Sequence, residues 1–230
     1  MAAPPASTTP ARFRALIFDF DGTLFDTETP EYEVWQELYA EHGAELPLSV
    51  WATGIGIGPR ECPFDPYDYL DACLSRPCDR ARLRAERRLR FVGRLRRLGP
   101  RAGVVERLDE AAALGLRLAI ASSSPRAWID DHLAHLGLSD RFEVTRTADD
   151  VARTKPDPEL YVSACAALGV APHEAVAIED SPNGIRAAKA AGLACVACPN
   201  PLTSLLPMDA ADCVVPSLAD VTLAGLLARL

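Results

Sequence analysis

Lysine is nearly absent from this chain of 230 residues: of 24 basic residues only Lys155 and Lys189 are lysines. Arginine fills almost every position where a generic cation serves. A lysine therefore marks a place for a compact ammonium that a flat guanidinium fork would not fit. Long apolar runs are missing as well. None reaches the roughly 18 residues of a membrane span, so no transmembrane helix and no membrane partner is expected. The opening MAAPPASTTPARF has no secretory apolar stretch. Residues 1–13 read as a flexible tail, and a cytoplasmic location is expected. The seven cysteines are odd in number and lack framework spacing, which points to reduced thiols. Cys195 and Cys198 form a CxxC inside the apolar stretch LACVAC, which reads as a buried strand rather than a redox or zinc site. Positive charge is not in excess either. A net charge of −8 argues against a nucleic-acid partner. No internal repeat is visible.

What is present is an alternation. The hydrophobic fraction of 49% and the length suit a soluble protein of one or two domains. Residues 14–20 read as a strand, and residues 30–98 as mostly helical, with periodic apolar positions in PEYEVWQELYAEHG and ARLRAERRLRFVGRLRRLG. From residue 101 strands and helices alternate. Strands are expected at 116–123, 175–180, 193–198 and 212–215. Helices are expected at 127–137, 158–169 and 181–192, each closed by a glycine. That order predicts an α/β fold, a Rossmann-like parallel sheet with helices on both faces. The segment 30–98 interrupts it as an inserted helical cap. The core is then 14–29 plus 99–230, with hinges near residues 25–30 and 98–102.

The first strand ends in Asp19 and Asp21, followed by Gly22 and Thr23. Residues i and i+2 of a strand face one side, so both carboxylates would share one small volume. Such a pair repels unless a cation or a shared proton intervenes. The bland alternative is an acidic turn after a buried strand. Two further apolar runs also end in polar groups: Ser122, Ser123 and Ser124 after one, Glu179 and Asp180 after the other. Ligands of open α/β sheets bind beyond the carboxyl ends of the strands. Converging there, four carboxylates and a hydroxyl cluster offer the oxygen donors that Mg²⁺ prefers. Lys155, in the Pro-punctuated loop TKPDP, is the fourth element.

Taken in order, DFDGT, ASSS, TKPDP and IEDSPNG resemble the four motifs of the haloacid dehalogenase-like hydrolase superfamily, over residues 15–200. The helical insert between the first two motifs resembles the branch with an α-helical cap, which includes sugar-phosphate phosphatases and β-phosphoglucomutase. The resemblance implies roles. Asp19 would be the nucleophile that forms an aspartyl-phosphate. Asp21 would protonate the leaving alkoxide and then take a proton from water. Mg²⁺ would bind the Asp19 carboxylate, the Asp21 carbonyl, Asp180 and, directly or through water, Glu179. Ser122 and Lys155 would hold the phosphoryl oxygens, while Ser123 and Ser124 read as structural.

The same resemblance sorts the alternatives. Asp21 argues against dehalogenation, and the absence of lysine from residues 30–100 argues against phosphonate cleavage through an imine. The mutases carry a histidine in the first cap helix where this chain has Glu31, which favours hydrolysis over mutase activity. A non-catalytic binding protein on the same fold is the alternative of another class. Substrate choice is expected in the cap, with Thr27 at the entrance. Arg60, ending the glycine-rich loop TGIGIGPRE, either grips a distal phosphate or sugar hydroxyls or is a plain exposed arginine. The eleven arginines of 76–101 either steer anions or form a solvated helix face. The expected partner is a small phosphate monoester, and nothing demands more than a monomer.

Overall fold

The computed structural model describes residues 12–58 and 60–230. The chain enters the sheet at β1 (Ala15–Phe18). It then runs through four helices, α1 (Glu28–Glu41), α2 (Leu48–Trp51), α3 (Pro66–Leu74) and α4 (Arg80–Leu95). From there strands and helices alternate: α5 (Val104–Ala113), β2 (Arg117–Ala121), α6 (Arg126–Leu136), β3 (Val144–Arg146), α7 (Glu159–Leu168), β4 (Ala175–Glu179), α8 (Pro182–Ala190), β5 (Ala194–Ala197), β6 (Cys213–Val214) and α9 (Leu223–Leu227). The strands form one sheet in the order β3-β2-β1-β4-β5-β6, and every neighbouring pair is parallel. The order reverses between β1 and β4, which is where a doubly wound sheet opens a crevice at its carboxyl edge.

Period-two alternation on β1 builds a core on each face. Leu16 and Phe18 join α5, α6 and α9 through Leu108, Ile129, Leu133 and Leu226. Ala15 and Ile17 join α7 and α8 through Leu160, Ala164, Leu168 and Ile185. Each large apolar side chain so buried contributes roughly 1.5–3 kcal/mol. The helices stop where a glycine supplies left-handed tolerance: Gly137 and Gly169 adopt positive φ at the ends of α6 and α7. At the other end of α8, the Ser181 hydroxyl accepts from the Gly184 N–H and starts the helix.

Several expectations need correction. Residues 1–11 of the expected tail lie outside the described residues, but Phe13 is a core residue, 4% exposed. The ordered core therefore starts before residue 14. The sheet has six strands rather than five, because the short, half-buried β3 carries no alternation that marks it. Cys195 belongs to one face of the sheet and Cys198 to the other. Spaced by three on an extended segment, they point apart, and both are free. Among the described residues no helix is long and apolar enough to cross a membrane.

In the helical insert α1 lies along α4. Trp35, Leu38, Tyr39, Leu83 and Phe91 are buried there. Three arginines of this helix are matched to the acids of α1: Arg87 pairs with Glu31, Arg90 with Glu41 at 2.7 Å and Arg94 with Glu37 at 2.5 Å. Half-exposed pairs of this kind contribute about 0–1 kcal/mol each, so the aromatic core holds the insert and the ion pairs set its register. Arg101, last of the arginine run, belongs to the sheet side. Its guanidinium donates to the carbonyls of Gly22, Cys198 and Pro199, tying the turn after β1 to the chain beyond β5.

Candidate active site

Register places the site. Phe18 pairs with Ile120 of β2 and Ile178 of β4, so Asp19 falls beside Ala121 and Glu179. The Asp19 N–H donates to the Ile178 carbonyl at 2.9 Å. Asp19, Ser122, Lys155, Glu179 and Asp180 are all buried. Lys155 reaches Asp19 and Glu179 together: its ammonium donates to Asp19 Oδ1, and to Glu179 Oε1 at 2.6 Å. Glu179 is held further by the Tyr161 hydroxyl at 2.6 Å, the Ser181 hydroxyl at 3.3 Å and the Asp180 N–H at 3.2 Å. Below it α8 comes so close that only Gly184 fits; a Cβ there would run into the Glu179 carboxylate.

Burial dominates the electrostatics. It pushes Asp19 up to about 7, against the lowering pull of Lys155 and with Glu179 and Asp21 adding to the rise. Burial, with Asp19 and Glu179 nearby, holds Asp180 well above the usual carboxylate range. Burial works to lower Lys155, but Asp19 and Glu179 outweigh it and raise the ammonium above its ordinary value. One oxygen from each of Asp19, Glu179 and Asp180 lies within 4.8 Å of the others. Three buried carboxylates around one point, with one ammonium among them, are short of positive charge. The donor set is hard oxygen, which fits a divalent cation, and these residues could hold one.

Asp180 is oriented by a turn that the motifs do not contain. Asn200 Nδ2 donates to Asp180 Oδ2 at 2.8 Å, and the Asn200 oxygen is itself fixed by the N–H groups of Leu202 and Thr203. Gly22, at φ +81°, lies against the same carboxylate, and any Cβ there would collide with it.

Asp21 stands apart from the acidic cluster. Asp19 and Asp21 both follow the end of β1, and their side chains turn to different partners. Asp21 Oδ1 accepts from Thr27 Oγ1 at 2.9 Å and from Trp128 Nε1 at 2.8 Å, while Oδ2 accepts from Ser124 Oγ at 2.6 Å. The Thr27 hydroxyl is thus spent on Asp21, and Ser124, expected to be structural, contacts the second aspartate of the motif. Ser122 Oγ accepts from the Ser124 N–H at 3.0 Å.

Asp19, Asp21 and Ser122 border a cavity of about 620 Å³ between the strand ends and the helical insert. Lys155, Glu179 and Asp180 do not border it and sit behind Asp19. The opposite wall is aromatic: Trp35, Trp51, Phe64, Tyr67 and Phe91, with Trp128 beside Asp21. Its polar groups are Thr27, Glu28, Glu31, Arg84 and Arg87. Burial and the neighbouring acids Glu31, Asp21 and Asp19 raise Glu28 well above its ordinary value. Burial also raises Glu31, which its ion pair with Arg87 opposes.

Of the two readings of Arg60, its placement agrees with the exposed arginine and not with a grip on substrate. Its side chain is exposed, does not border the cavity, and donates to the Ala148 carbonyl at 2.5 Å. The glycine-rich loop around it docks the insert onto the sheet side. Asn183 Nδ2 donates to the Ile55 carbonyl at 2.7 Å, Ser123 Oγ to the Gly56 carbonyl at 3.2 Å, and the Gly58 N–H to Thr154 Oγ1 at 3.1 Å. Gly56 is at φ +75°, and a Cβ there would press on the Ser181 side chain. Glycine is what lets the loop backbone come up against that side chain.

The residues missed from sequence are Trp128, Ser124, Tyr161, Asn200 and Arg101. Trp128 offered one signal, as an indole four residues past a motif serine. Ser124 lies in the motif and Arg101 in the arginine run, but their roles, like those of Tyr161 and Asn200, depend on partners distant in the chain.

Acids and a lysine at the carboxyl edge of a doubly wound sheet, beneath a helical insert that follows the first strand, define an enzyme built on a parallel α/β sheet with a helical insert. The chain belongs to the haloacid dehalogenase-like hydrolases, whose family profile matches residues 13–192. It is 47% identical over 217 residues to YhcW of Bacillus subtilis, a protein assigned to the phosphatases; the match covers 94% of this chain and 97% of that one. It is 32% identical over 179 residues to the phosphorylated carbohydrates phosphatase of Thermotoga maritima, covering 78% and 82%. Among solved structures it resembles CbbY from Rhodobacter sphaeroides in complex with phosphate. That likeness has a TM-score of 0.71 at 30% identity and covers 93% of this chain and 99% of the other. The chain is therefore an enzyme of the hydrolase class, similar to phosphatases.

Proposed function

We propose that the protein hydrolyses a small phosphate monoester, a sugar phosphate, with Mg²⁺ bound and through an aspartyl-phosphate on Asp19. One observation carries this reading: Asp19 borders the cavity and has Lys155, Glu179 and Asp180 gathered on its other side. Mg²⁺ would be held by Asp19, Asp180, the Asp21 carbonyl and Glu179, and when bound it would neutralise charge between these acids and the phosphoryl group.

The chain's own residues supply the rest. A carboxylate oxygen of Asp19 attacks phosphorus, the ester P–O bond breaks, and the leaving oxygen takes a proton from Asp21. Asp21 then takes a proton from water as the water oxygen attacks phosphorus, which releases phosphate and restores Asp19. Ser122 Oγ, at the cavity wall, would hold a phosphoryl oxygen, and the Lys155 ammonium, behind Asp19, would hold the attacking carboxylate in place. Such positioning and electrostatics dominate phosphoryl transfer.

Residues 30–98 act as a cap over a core of 13–29 and 99–230, hinged near residues 25–30 and 98–102. Closure excludes water from the leaving group. The aromatic wall with Glu28 and Glu31 suits the ring and hydroxyls of a sugar. That Glu31 is tied to Arg87 supports hydrolysis over the mutase reading, which would want a free base there. The protein would work as a cytoplasmic monomer, with reduced thiols and no nucleic-acid partner.

The test is phosphate release from a panel of phosphate monoesters, with Mg²⁺ and with EDTA. Metal-dependent release from a narrow set of sugar phosphates is expected. No release from any ester, with β-glucose 1-phosphate converted to glucose 6-phosphate instead, would overturn it in favour of a mutase.

A further inference from the structure

We propose that Trp128 is a positioning residue for Asp21, and that it links the placement of that carboxylate to docking of the helical insert. The inference rests on the acid role of Asp21 under the proposed function.

Three donors hold Asp21: the hydroxyls of Thr27 and Ser124 and the indole N–H of Trp128. They differ in kind. A hydroxyl turns about a single bond and can follow the carboxylate or leave it for water. An indole N–H points only where its ring points. The Trp128 ring is clamped. Phe91 of α4 stacks on it, with centroids 6.0 Å apart and planes 8° from parallel. His132, one turn along α6, packs against it as well, with its ring centroid 4.0 Å away and the planes 42° apart. The His132 ring is fixed in turn, its Nδ1 lying 2.8 Å from the Trp128 carbonyl oxygen.

The two jaws come from different parts of the molecule. His132 and Trp128 share the sheet-side helix α6, whereas Phe91 belongs to the insert. Phe91 and Trp128 both border the cavity, so their stack joins the insert to the sheet side at the cavity wall. With the insert docked, both jaws are closed and the N–H fixes Asp21 Oδ1 at the cavity wall. When the insert swings away, Phe91 leaves, the indole gains freedom, and Oδ1 loses its only directionally rigid donor. Asp21 is then set for proton transfer only over an enclosed substrate.

The experiment compares wild type with Trp128→Phe, Asp21→Asn and the double variant. Each is assayed at saturating Mg²⁺ on the best alkyl or sugar phosphate of the panel and on p-nitrophenyl phosphate, whose leaving group needs little protonation. Trp128→Phe keeps a ring for Phe91 to stack on and removes the N–H. Its loss in kcat on the alkyl ester should exceed its loss on p-nitrophenyl phosphate by about tenfold, the worth of one hydrogen bond to a carboxylate, with KM moving less than kcat. Asp21→Asn should show a larger version of the same split. In that background Trp128→Phe should add less than about twofold, because the two act as one unit.

Equal losses on both esters, or full additivity with Asp21→Asn, would mark Trp128 as mere packing and overturn the proposal. Phe91→Leu serves as a second variant. It leaves the N–H in place and should give a smaller split of the same sense; no split would overturn the link to docking. If Asp21→Asn itself loses equally on both esters, the acid role fails and the proposal falls with it. If Asp21→Asn splits and Trp128→Phe does not, only the role of Trp128 falls.

Discussion

Replacing Lys155 with methionine isolates the charge balance of the site. Lys155 is 1% exposed and serves Asp19 and Glu179, both buried. Methionine keeps the length and the apolar stem and removes the only ammonium between them. Breaking a buried ion pair on one side costs about 3–5 kcal/mol. Glu179 would keep the Tyr161 and Ser181 hydroxyls, whereas Asp19 would lose the only side-chain partner it has among the described residues. The loss should therefore fall on Asp19. For a chain of this length about 3–5 kcal/mol lowers Tm by roughly 6–20 °C. The assay is thermal unfolding in EDTA at about pH 6 and pH 8. Asp19 already titrates near about 7, and without the ammonium it would titrate higher. At pH 6 the carboxyl is mostly protonated with or without the ammonium and the loss is small; at pH 8 the wild-type carboxylate is ionised and the loss is larger. Added Mg²⁺ should recover part of it. An unchanged Tm in EDTA at pH 8 would refute the reasoning.

Other perturbations follow from the same geometry. Asp19 is raised from 3.8 to about 7, so between these values the folded state binds a proton that the unfolded state has released, and stability falls as pH rises. The acids held low, such as Asp150 and Glu174, have finished titrating below about pH 5. Metal-free protein should therefore lose Tm between about pH 5 and pH 7, and Mg²⁺ should flatten that slope; a rising Tm would contradict it. Asn200→Ala removes the donor that orients Asp180, and Mg²⁺ affinity measured by calorimetry should fall about 10–100-fold; unchanged affinity would exclude that role. Tyr161→Phe takes one hydroxyl from Glu179 and should lower stability in denaturant titration by about 1.5–3 kcal/mol. No change there would mean that Lys155, the Ser181 hydroxyl and the Asp180 N–H satisfy Glu179 without it.

The parts of the site that could be read from sequence are those that a strand end carries. Asp19, Ser122, Glu179 and Asp180 each follow an apolar run, and in a parallel sheet all such ends lie on one edge. Lys155 was legible because lysine is so rare here. What escaped depends on direction rather than order. Asp19 and Asp21 differ by two positions, yet the strand ends at Phe18 and the turn at Gly22 sends their side chains to different partners. Trp128 sits on a half-buried helix face where packing and hydrogen bonding leave the same pattern. Arg60 was read from its loop, but whether a loop faces a cavity or the neighbouring layer is set by contacts such as Gly58 with Thr154, which no local pattern encodes. Phe13 was grouped with a polar tail because burial of one aromatic residue needs no periodicity. Three arginines of α4, Arg87, Arg90 and Arg94, find partners on α1, 49 to 61 positions away.

The most direct measurement is to trap the covalent state. Enzyme and its best phosphate ester are mixed with Mg²⁺, quenched in acid within one turnover, reduced with borohydride and mapped by mass spectrometry. Borohydride converts an acyl phosphate into an alcohol, so reduction should appear at Asp19, only with substrate present, and should vanish in Asp19→Asn together with turnover. Turnover with no reduced aspartate, or with the reduction at another residue, would contradict Asp19 as the nucleophile.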